Sequence, residues 1–186
     1  EEKDRKINGS YYTPTGVDSY IVKETIKKTG TICDPACGSG AFLVEATKHI
    51  KNLSTKLSYK DIFEHYIYGV DILPNSVKRT KIILSLLAII NGEDRNFDFQ
   101  IFEGDTLSFN WNLKIKDFQG FNFIIGNPPY VRTKNLRLDV KQKLKNWHTA
   151  SFGNVDLYIP FFEIALKISN RDGRIGFITP STYLTS

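Results

Sequence analysis

The chain of 186 residues has no methionine, two cysteines and three histidines. Cys33 and Cys37 are too few for a disulfide framework, and no further cysteine or histidine lies nearby to complete a zinc site with them. The longest apolar stretch, residues 82–90, is about half as long as a membrane span and is interrupted by Ser85. The first six residues are all charged and no apolar stretch follows them, so no signal peptide is predicted. We therefore expect a cytoplasmic protein without a metal ion or a membrane segment.

The composition is that of a globular domain. With 41% hydrophobic and 24% charged residues, the chain is excluded from the disordered and fibrous classes of protein. Its length predicts one domain with a sizeable core. The net charge of +5 is a mild excess that does not by itself indicate a nucleic-acid partner.

Short apolar runs alternate with longer segments of helical periodicity, which is typical of a parallel α/β sheet. The predicted strands cover residues 31–34, 66–71, 97–102, 121–125 and 174–179, the last one after a turn at Asp172–Gly173. One predicted helix begins at Pro14, and the others cover approximately residues 40–53, 75–90 and 156–168. We expect an α/β fold with a doubly wound, mostly parallel sheet. Ligands bind at the edge of such a sheet where the carboxyl ends of the strands meet.

The first strand leads into a glycine-containing turn that opens a helix, Asp34-Pro35-Ala36-Cys37-Gly38-Ser39-Gly40. Glycine allows the backbone to approach a ligand closely. A dinucleotide-binding fingerprint needs a third glycine where Leu43 stands, and no Gly-Lys-Ser/Thr follows to make a P-loop. This loop alone is equally compatible with a tight turn that binds nothing.

Acidic residues follow three successive strands of the predicted sheet. Asp34 would repel a pyrophosphate but attract a cationic group, and Asp71 is placed to bind ribose hydroxyls. Asp105, after the third strand, can accept a hydrogen bond from an adenine amino group. Each of them alone is more typical of a helix cap or a turn. Jointly, at these positions, the three acids indicate S-adenosylmethionine as the ligand.

The fourth strand is followed by the tetrad Asn127-Pro128-Pro129-Tyr130. Consecutive prolines fix the backbone and direct its carbonyl groups. The Asn127 side-chain oxygen and the Pro128 carbonyl can accept both hydrogens of a planar amino group, which stabilises the positive charge that develops when its nitrogen is methylated. Tyr130 offers a face on which a base turned out of a duplex can stack.

The tetrad and the glycine loop together resemble the amino-methyltransferases that use S-adenosylmethionine. Tyr11-Tyr12-Thr13-Pro14 lies ahead of the loop, an order that resembles the γ group of adenine-N6 DNA methyltransferases. These enzymes belong to type I and combined type II restriction-modification systems. The resemblance covers about residues 8–183. It implies a Rossmann-like S-adenosylmethionine-dependent methyltransferase fold and methyl transfer to N6 of an adenine flipped out of double-stranded DNA.

The resemblance also implies roles for individual residues. The catalytic residues would be Asn127, Pro128, Pro129 and Tyr130. The cofactor's methionine end would contact Tyr12, Thr13, Pro14, Asp34 and Gly38, with Pro35, Ala36 and Cys37 completing the loop. Its ribose and adenine would contact Asp71, Ile72, Asp105 and Thr106.

The sequence departs from the family pattern at its end. The family's catalytic domain continues with further strands and a target-recognition domain, and neither follows Ser186. We expect residues 1–186 to be the N-terminal part of a methyltransferase catalytic domain, with the C-terminal strands of the sheet missing. A specificity, target-recognition or nuclease domain or subunit would then lie beyond it, and the fragment alone need not be active.

Two alternatives stay open. N-methyltransferases that act on a protein glutamine amide or on RNA share the Asn-Pro-Pro-Tyr device, although the Tyr-Thr-Pro block favours DNA. A non-catalytic module that binds the cofactor or a partner is the third hypothesis.

The positive charge is concentrated beside the tetrad. Residues 131–150, the basic segment, carry six lysines and arginines against one aspartate, so this segment alone accounts for the net charge of the chain. A solvated helix face would show the same pattern. Because the segment begins directly after Tyr130, we predict that it contacts DNA phosphates, through Arg132, Lys134 and Arg137 in particular.

Overall fold

The computed structural model describes residues 16–132, 135–150 and 156–180. Five parallel strands form one sheet in the order β3-β2-β1-β4-β5. The strands are β1 (Ile32–Asp34), β2 (Ile67–Asp71), β3 (Gln100–Glu103), β4 (Phe121–Gly126) and β5 (Ser169–Phe177). The helices are α1 (Val17–Thr25), α2 (Ala41–Leu53), α3 (Tyr59–His65), α4 (Pro74–Ile90), α5 (Leu138–Leu144) and α6 (Tyr158–Ile168). The predicted α/β class with a parallel sheet is confirmed.

Apolar side chains alternate between the two faces of the sheet. In β1, Ile32 packs into a core with helices α1 to α4, whereas Cys33 faces the opposite core, which contains Trp111 and Ala165 of α6. Helices therefore cover both faces, which makes the sheet doubly wound. Within the described residues, no helix has the length and apolar character needed to cross a membrane.

A third, smaller cluster lies beyond the sheet. Leu107 after β3, Val131 after β4, Leu144 of α5 and Phe161 of α6 are buried against one another. This cluster joins the loop after β3 to the basic segment, so α5 is packed rather than projecting into solvent.

The structure corrects several predicted boundaries. Helix α1 begins at Val17, with Gly16 as its N-cap residue, rather than at Pro14, which lies outside the described residues. Strand β3 begins at Gln100 because Phe97 and Phe99 pack on Phe63 of α3, with both ring centroids 5.1 Å from its own. Helix α3 was not predicted.

The predicted turn at Asp172–Gly173 is wrong. These residues lie within β5, which already pairs at Ser169 with Phe121 and then slips in register before Arg174 pairs with Phe123. The extra residues of the irregular stretch carry the turn-like composition, and the strand resumes after it. Helix α6 begins at Tyr158, two residues later than the periodicity predicts.

Candidate active site

The carboxyl ends of β1 and β4 lie side by side where the strand order changes direction. Such a switch point opens a crevice for ligands in α/β sheets. The loops after β1, β2, β3 and β4 carry the described residues that the motifs single out. Four of the predicted site residues lie outside the described part of the chain: Tyr12, Thr13, Pro14 and Lys134.

Asp34 ends β1 as a buried carboxyl group, with 1% of its surface exposed. The Ala36 backbone N–H donates to its Oδ1 at 2.9 Å. Burial is the main cause that raises the pKa of Asp34 to about 8, and the neighbouring charge of Asp71 adds to the rise. The group is therefore mostly protonated at neutral pH, and a cation placed beside it would favour its ionised form.

Gly38 is held at both of its backbone polar groups by side chains from elsewhere in the chain. Its N–H donates to Oδ2 of Asp71 at 2.8 Å, and its carbonyl accepts from Oγ1 of Thr80 at 3.0 Å. The preceding residue, Cys37, is buried and its N–H donates to the carbonyl of Val70 in β2. The glycine loop is thus fixed from β2 and from α4.

Asp71 ends β2 with both carboxylate oxygens engaged by backbone donors, since its Oδ1 accepts from the N–H of Leu73 at 2.8 Å. Burial raises the pKa of Asp71, and the hydrogen bonds from Leu73 and Gly38 oppose that rise. The two carboxylate oxygens offer four lone-pair directions, of which hydrogen bonds from Gly38, Leu73 and the Ser76 side chain use three. The next side chain, Ile72, is 58% exposed and presents an apolar surface beside these acceptors.

Asp105 and Thr106 tie the loop after β3 to two neighbours. Asp105 accepts from the Leu107 N–H through Oδ1 at 3.0 Å and from Lys143 of α5 through Oδ2 at 2.6 Å. The Thr106 hydroxyl donates to the carbonyl of Pro35 in the glycine loop. The third predicted acid therefore sits between the glycine loop and the basic segment.

The tetrad follows β4 directly, and hydrogen bonds to Ile178, the residue after β5, hold it in place. The N–H of Ile178 donates to the carbonyl of Gly126 at 3.0 Å, and the hydroxyl of Tyr130 donates to the carbonyl of Ile178 at 2.7 Å. Pro128 and the side-chain oxygen of Asn127 are buried, and Pro129 is partly buried. Ile178 is thus hydrogen-bonded to the residue before the tetrad and to the last residue of the tetrad.

Tyr130 also meets a second tyrosine, Tyr158 at the start of α6. Their rings lie edge to face with centroids 5.9 Å apart. Burial, with a smaller contribution from Tyr158, raises the pKa of Tyr130 to about 12, so its hydroxyl stays protonated as a donor. These contacts fix the orientation of the ring.

The segment that leads into the tetrad and the end of β1, where the glycine loop begins, touch through Gly126 and Asp34. A Cβ atom at position 126 would lie 2.6 Å from Oδ1 of Asp34, which leaves no room for any side chain. The backbone that leads into Asn127 therefore lies directly against the buried carboxyl group.

The structure places the predicted DNA contacts on the exposed side of the basic segment. Arg132 is exposed and its backbone pairs with Asp156 in an isolated antiparallel bridge. Arg137 is exposed at the N-cap position of α5 and forms two 3.1 Å hydrogen bonds to Asp139. Lys143 instead turns inward to Asp105, so not every cation of this segment is available to an external anion.

Thr80 is the residue that the motifs missed. It lies on the buried face of α4, where Val77, Thr80, Leu84 and Leu87 follow helical spacing, and it is the polar member of that set. A buried hydroxyl needs a hydrogen-bond partner, so this polar residue in an apolar stripe was the available signal.

The comparisons with known proteins agree with this geometry. Residues 65–186, about two thirds of the chain, match the Eco57I restriction-modification methylase family. The chain belongs to this family.

The type II methyltransferase M.BanIII of Aneurinibacillus aneurinilyticus is 29% identical over 197 residues, which cover 98% of this chain and 32% of that relative. The type II restriction enzyme and methyltransferase RM.Eco57I of Escherichia coli is 25% identical over 232 residues, 92% of this chain and 23% of that protein. The chain thus spans about a third or less of the length of these curated relatives.

Solved structures share the fold. The DrdV–DNA complex matches with a TM-score of 0.76 at 19% identity, over 100% of this chain and 22% of that chain. A Listeria monocytogenes protein assigned to the class I S-adenosylmethionine-dependent methyltransferases matches with a TM-score of 0.68 at 15% identity, over 96% of this chain and 49% of that one. The predicted S-adenosylmethionine-dependent methyltransferase fold and the predicted restriction-modification family are thereby confirmed.

Proposed function

We propose that this chain provides the catalytic core of a DNA methyltransferase, which transfers a methyl group from S-adenosylmethionine to N6 of an adenine turned out of the duplex. The observation that carries the proposal is the contact between Gly126 and Asp34, because it sets the Asn-Pro-Pro-Tyr tetrad directly beside a buried acid and a glycine loop. In the proposed enzyme residues 1–186 belong to one catalytic domain, which acts on double-stranded DNA in the cytoplasm.

The residues at the crevice fit S-adenosylmethionine in charge and shape. The ammonium group of the cofactor would pair with Asp34, and the remaining acceptor position of Asp71 suits a ribose hydroxyl. The exposed Ile72 offers an apolar contact for the adenine ring, whose amino group suits Asp105. A Cβ atom at Gly38 would meet only a carbonyl oxygen at 4.0 Å, so space is open above the loop for the methionine end. Pro35, Ala36, Cys37 and Thr106 build this loop and its support.

The cofactor, when bound, supplies an electrophilic methyl group on a positively charged sulfur. The chain's own task is to prepare the acceptor nitrogen, whose lone pair is delocalised into the base. In the proposed arrangement the Asn127 side-chain oxygen and the Pro128 carbonyl accept the two amino hydrogens, which draws the nitrogen towards tetrahedral geometry. Two fixed acceptors stabilise the charge that develops there without a strong base, and the proline pair keeps their directions constant.

Tyr130 would hold the target base by stacking. Its ring is already oriented by the hydrogen bond to Ile178 and by the edge contact with Tyr158, so little conformational entropy is lost when a base arrives. Base stacking on an aromatic ring contributes about 1–3 kcal/mol. Arg132, Lys134 and Arg137 would contact the phosphates beside the flipped base, and a specificity or nuclease subunit would act together with this core.

Transfer of a labelled methyl group tests the proposal. The chain and a longer protein that contains it are incubated separately with methyl-labelled S-adenosylmethionine. Each receives one of three acceptors: a DNA duplex with adenine, the same duplex with 2-aminopurine in place of adenine, or a mixture of RNA and a glutamine-containing protein. We expect label only in adenine-containing DNA, recovered as N6-methyladenine. Label in protein or RNA, or in cytosine, contradicts the proposal. No binding of S-adenosylmethionine to either protein in calorimetry contradicts the enzyme hypothesis altogether.

A further inference from the structure

Thr80 contacts the glycine loop at Gly38, at Gly40 and at the side chain of Cys37, although it is 42 residues from Gly38 in the chain and belongs to none of the motifs. Its hydroxyl Oγ1 donates to the carbonyl of Gly38 at 3.0 Å. Its methyl group fills the notch where Gly40 has no side chain, since a Cβ atom at Gly40 would lie 2.8 Å from Cγ2 and 2.9 Å from Oγ1 of Thr80. Thr80 is fully buried, so none of these contacts competes with solvent.

The geometry of the loop gives these contacts a consequence. Gly40 has a φ of +86°, a conformation that an L side chain rarely adopts, and the N–H of Gly40 donates back to Cys37. The loop therefore depends on outside partners to stay in one conformation. Asp71 holds the N–H of Gly38 and Thr80 holds its carbonyl, so the two ends of one residue are clamped from β2 and from α4.

Helix α4 connects the two clamps. It begins at Pro74, three residues after Asp71, and it carries Thr80 on its second turn. The acid proposed for the ribose, at the end of β2, is thus followed directly by the helix whose hydroxyl fixes the glycine loop. A loop held in its binding conformation before the ligand arrives binds more tightly, because less ordering is required on binding.

We infer that Thr80 is a positioning residue that pre-organises the glycine loop for the methionine end of S-adenosylmethionine. This inference rests on the proposed function. The hydroxyl carries the effect through the Gly38 carbonyl, and the methyl group keeps α4 seated against Gly40. Thr80 itself does not touch the cofactor.

Calorimetric titration of the chain with S-adenosylmethionine tests this role in three variants. Thr80→Val keeps the shape and removes the hydroxyl, and we expect its dissociation constant to rise about threefold to tenfold, which is the value of one hydrogen bond. Thr80→Ser keeps the hydroxyl, so its dissociation constant should stay within about twofold of the wild type. Thr47→Val is the matched control, because Thr47 is equally buried but donates to Leu43 within its own helix.

Thermal unfolding of the same variants separates positioning from general stability. We expect Thr80→Val and Thr47→Val to lower the unfolding temperature by similar amounts, while only Thr80→Val weakens binding. Equal dissociation constants for the valine and serine variants at position 80, or equal weakening by Thr47→Val, overturn the inference. A wild-type chain that fails to bind S-adenosylmethionine instead overturns the proposed function, so the two failures are distinguishable.

Discussion

The proposed cofactor half and the proposed substrate half of the site are built in different ways. The loops after β1 and β2, the cofactor half, hold each carboxylate with backbone N–H groups, from Ala36 to Asp34 and from Gly38 and Leu73 to Asp71. The tetrad and the basic segment, the substrate half, depend on distant partners. Tyr130 and Gly126 bond to Ile178, and Val131 bonds to Leu157.

Because of this difference, we expect substitutions, pH and salt to affect cofactor binding and DNA binding differently. The acids and the glycine loop at the ends of β1 and β2, with Thr80, lie within residues 32–80, and Asp34 and Thr80 are buried. The substrate half needs β5 and α6 to be in place, and its outer side is charged and exposed. We therefore expect cofactor affinity to depend on internal hydrogen bonds and pH, and DNA affinity to depend on salt.

We expect the largest effect on methyl transfer from the substitution of Asn127, which lies in the substrate half. In Asn127→Ala the rate of methyl transfer should fall by about 100-fold or more, because one of two fixed acceptors for the reacting amino group is lost. The dissociation constant of S-adenosylmethionine should stay within about twofold, since the side chain belongs to the substrate half. Rates come from single-turnover label transfer and affinities from calorimetry.

The exposed Asn112 supplies a matched control, because Asn112→Ala removes a side-chain amide that does not belong to the tetrad. A wild-type rate in Asn127→Ala, or a parallel loss of cofactor affinity, would break the division between the two halves.

A smaller effect, about tenfold, is expected for Asp34→Asn and should depend on pH. Because the pKa of Asp34 is raised to about 8, a cationic ligand must ionise a neutral group at pH 6, and the affinity of the wild type for S-adenosylmethionine should rise between pH 6 and 8. The asparagine variant cannot ionise and should lack that rise. The exposed Asp94, changed to asparagine, is the control.

The stability of the ligand-free chain should move in the opposite direction. The folded state keeps the proton of Asp34 up to about pH 8, whereas the unfolded chain releases it near pH 4. Stability from this group is therefore lost as pH rises from about 4 to 8. Chemical denaturation across this range should show a downward slope in the wild type that is reduced in Asp34→Asn. An identical slope in both proteins would mean that Asp34 does not titrate there.

The smallest effect should fall on DNA binding alone. In Arg132→Gln the plot of log affinity for a duplex against log salt concentration should become shallower by about 0.9, the value for one phosphate contact. Cofactor affinity should not change. Arg95→Gln, which removes a cation paired with Glu93 instead, is the control. An unchanged slope in Arg132→Gln would remove this residue from the proposed phosphate contacts.

Much of the fold could be predicted because the strands are short, apolar and followed by polar turns. Strands β1, β2 and β4 and helices α2 and α4 lie within one or two residues of their predicted ranges. Helix α3 was missed although its capping box was readable, with Ser58 and Asp61 bonding reciprocally across its first turn. Phe97 and Phe99 look like strand residues in isolation, and only the packing on α3 explains why they are not.

The placement of the candidate site residues in the fold was predictable where a motif is contiguous and unpredictable where it depends on packing. The glycine loop and the tetrad were predicted as segments, and the parallel sheet brings their edges together. The ion pair of Asp105 with Lys143 and the bonds from Thr80 and Tyr130 join residues 38 to 48 positions apart. No local periodicity encodes such distances, because they arise from the order of strands in the sheet.

The contact between Gly126 and Asp34 has a consequence for protein engineering. The segment with the tetrad cannot be exchanged between relatives on its own, because a graft that introduces a side chain at position 126 collides with the carboxyl group at the end of β1. Chimeras should exchange the ends of β1 and β4 as one unit. A library that varies the basic segment after Val131 avoids this constraint and leaves the two loops matched.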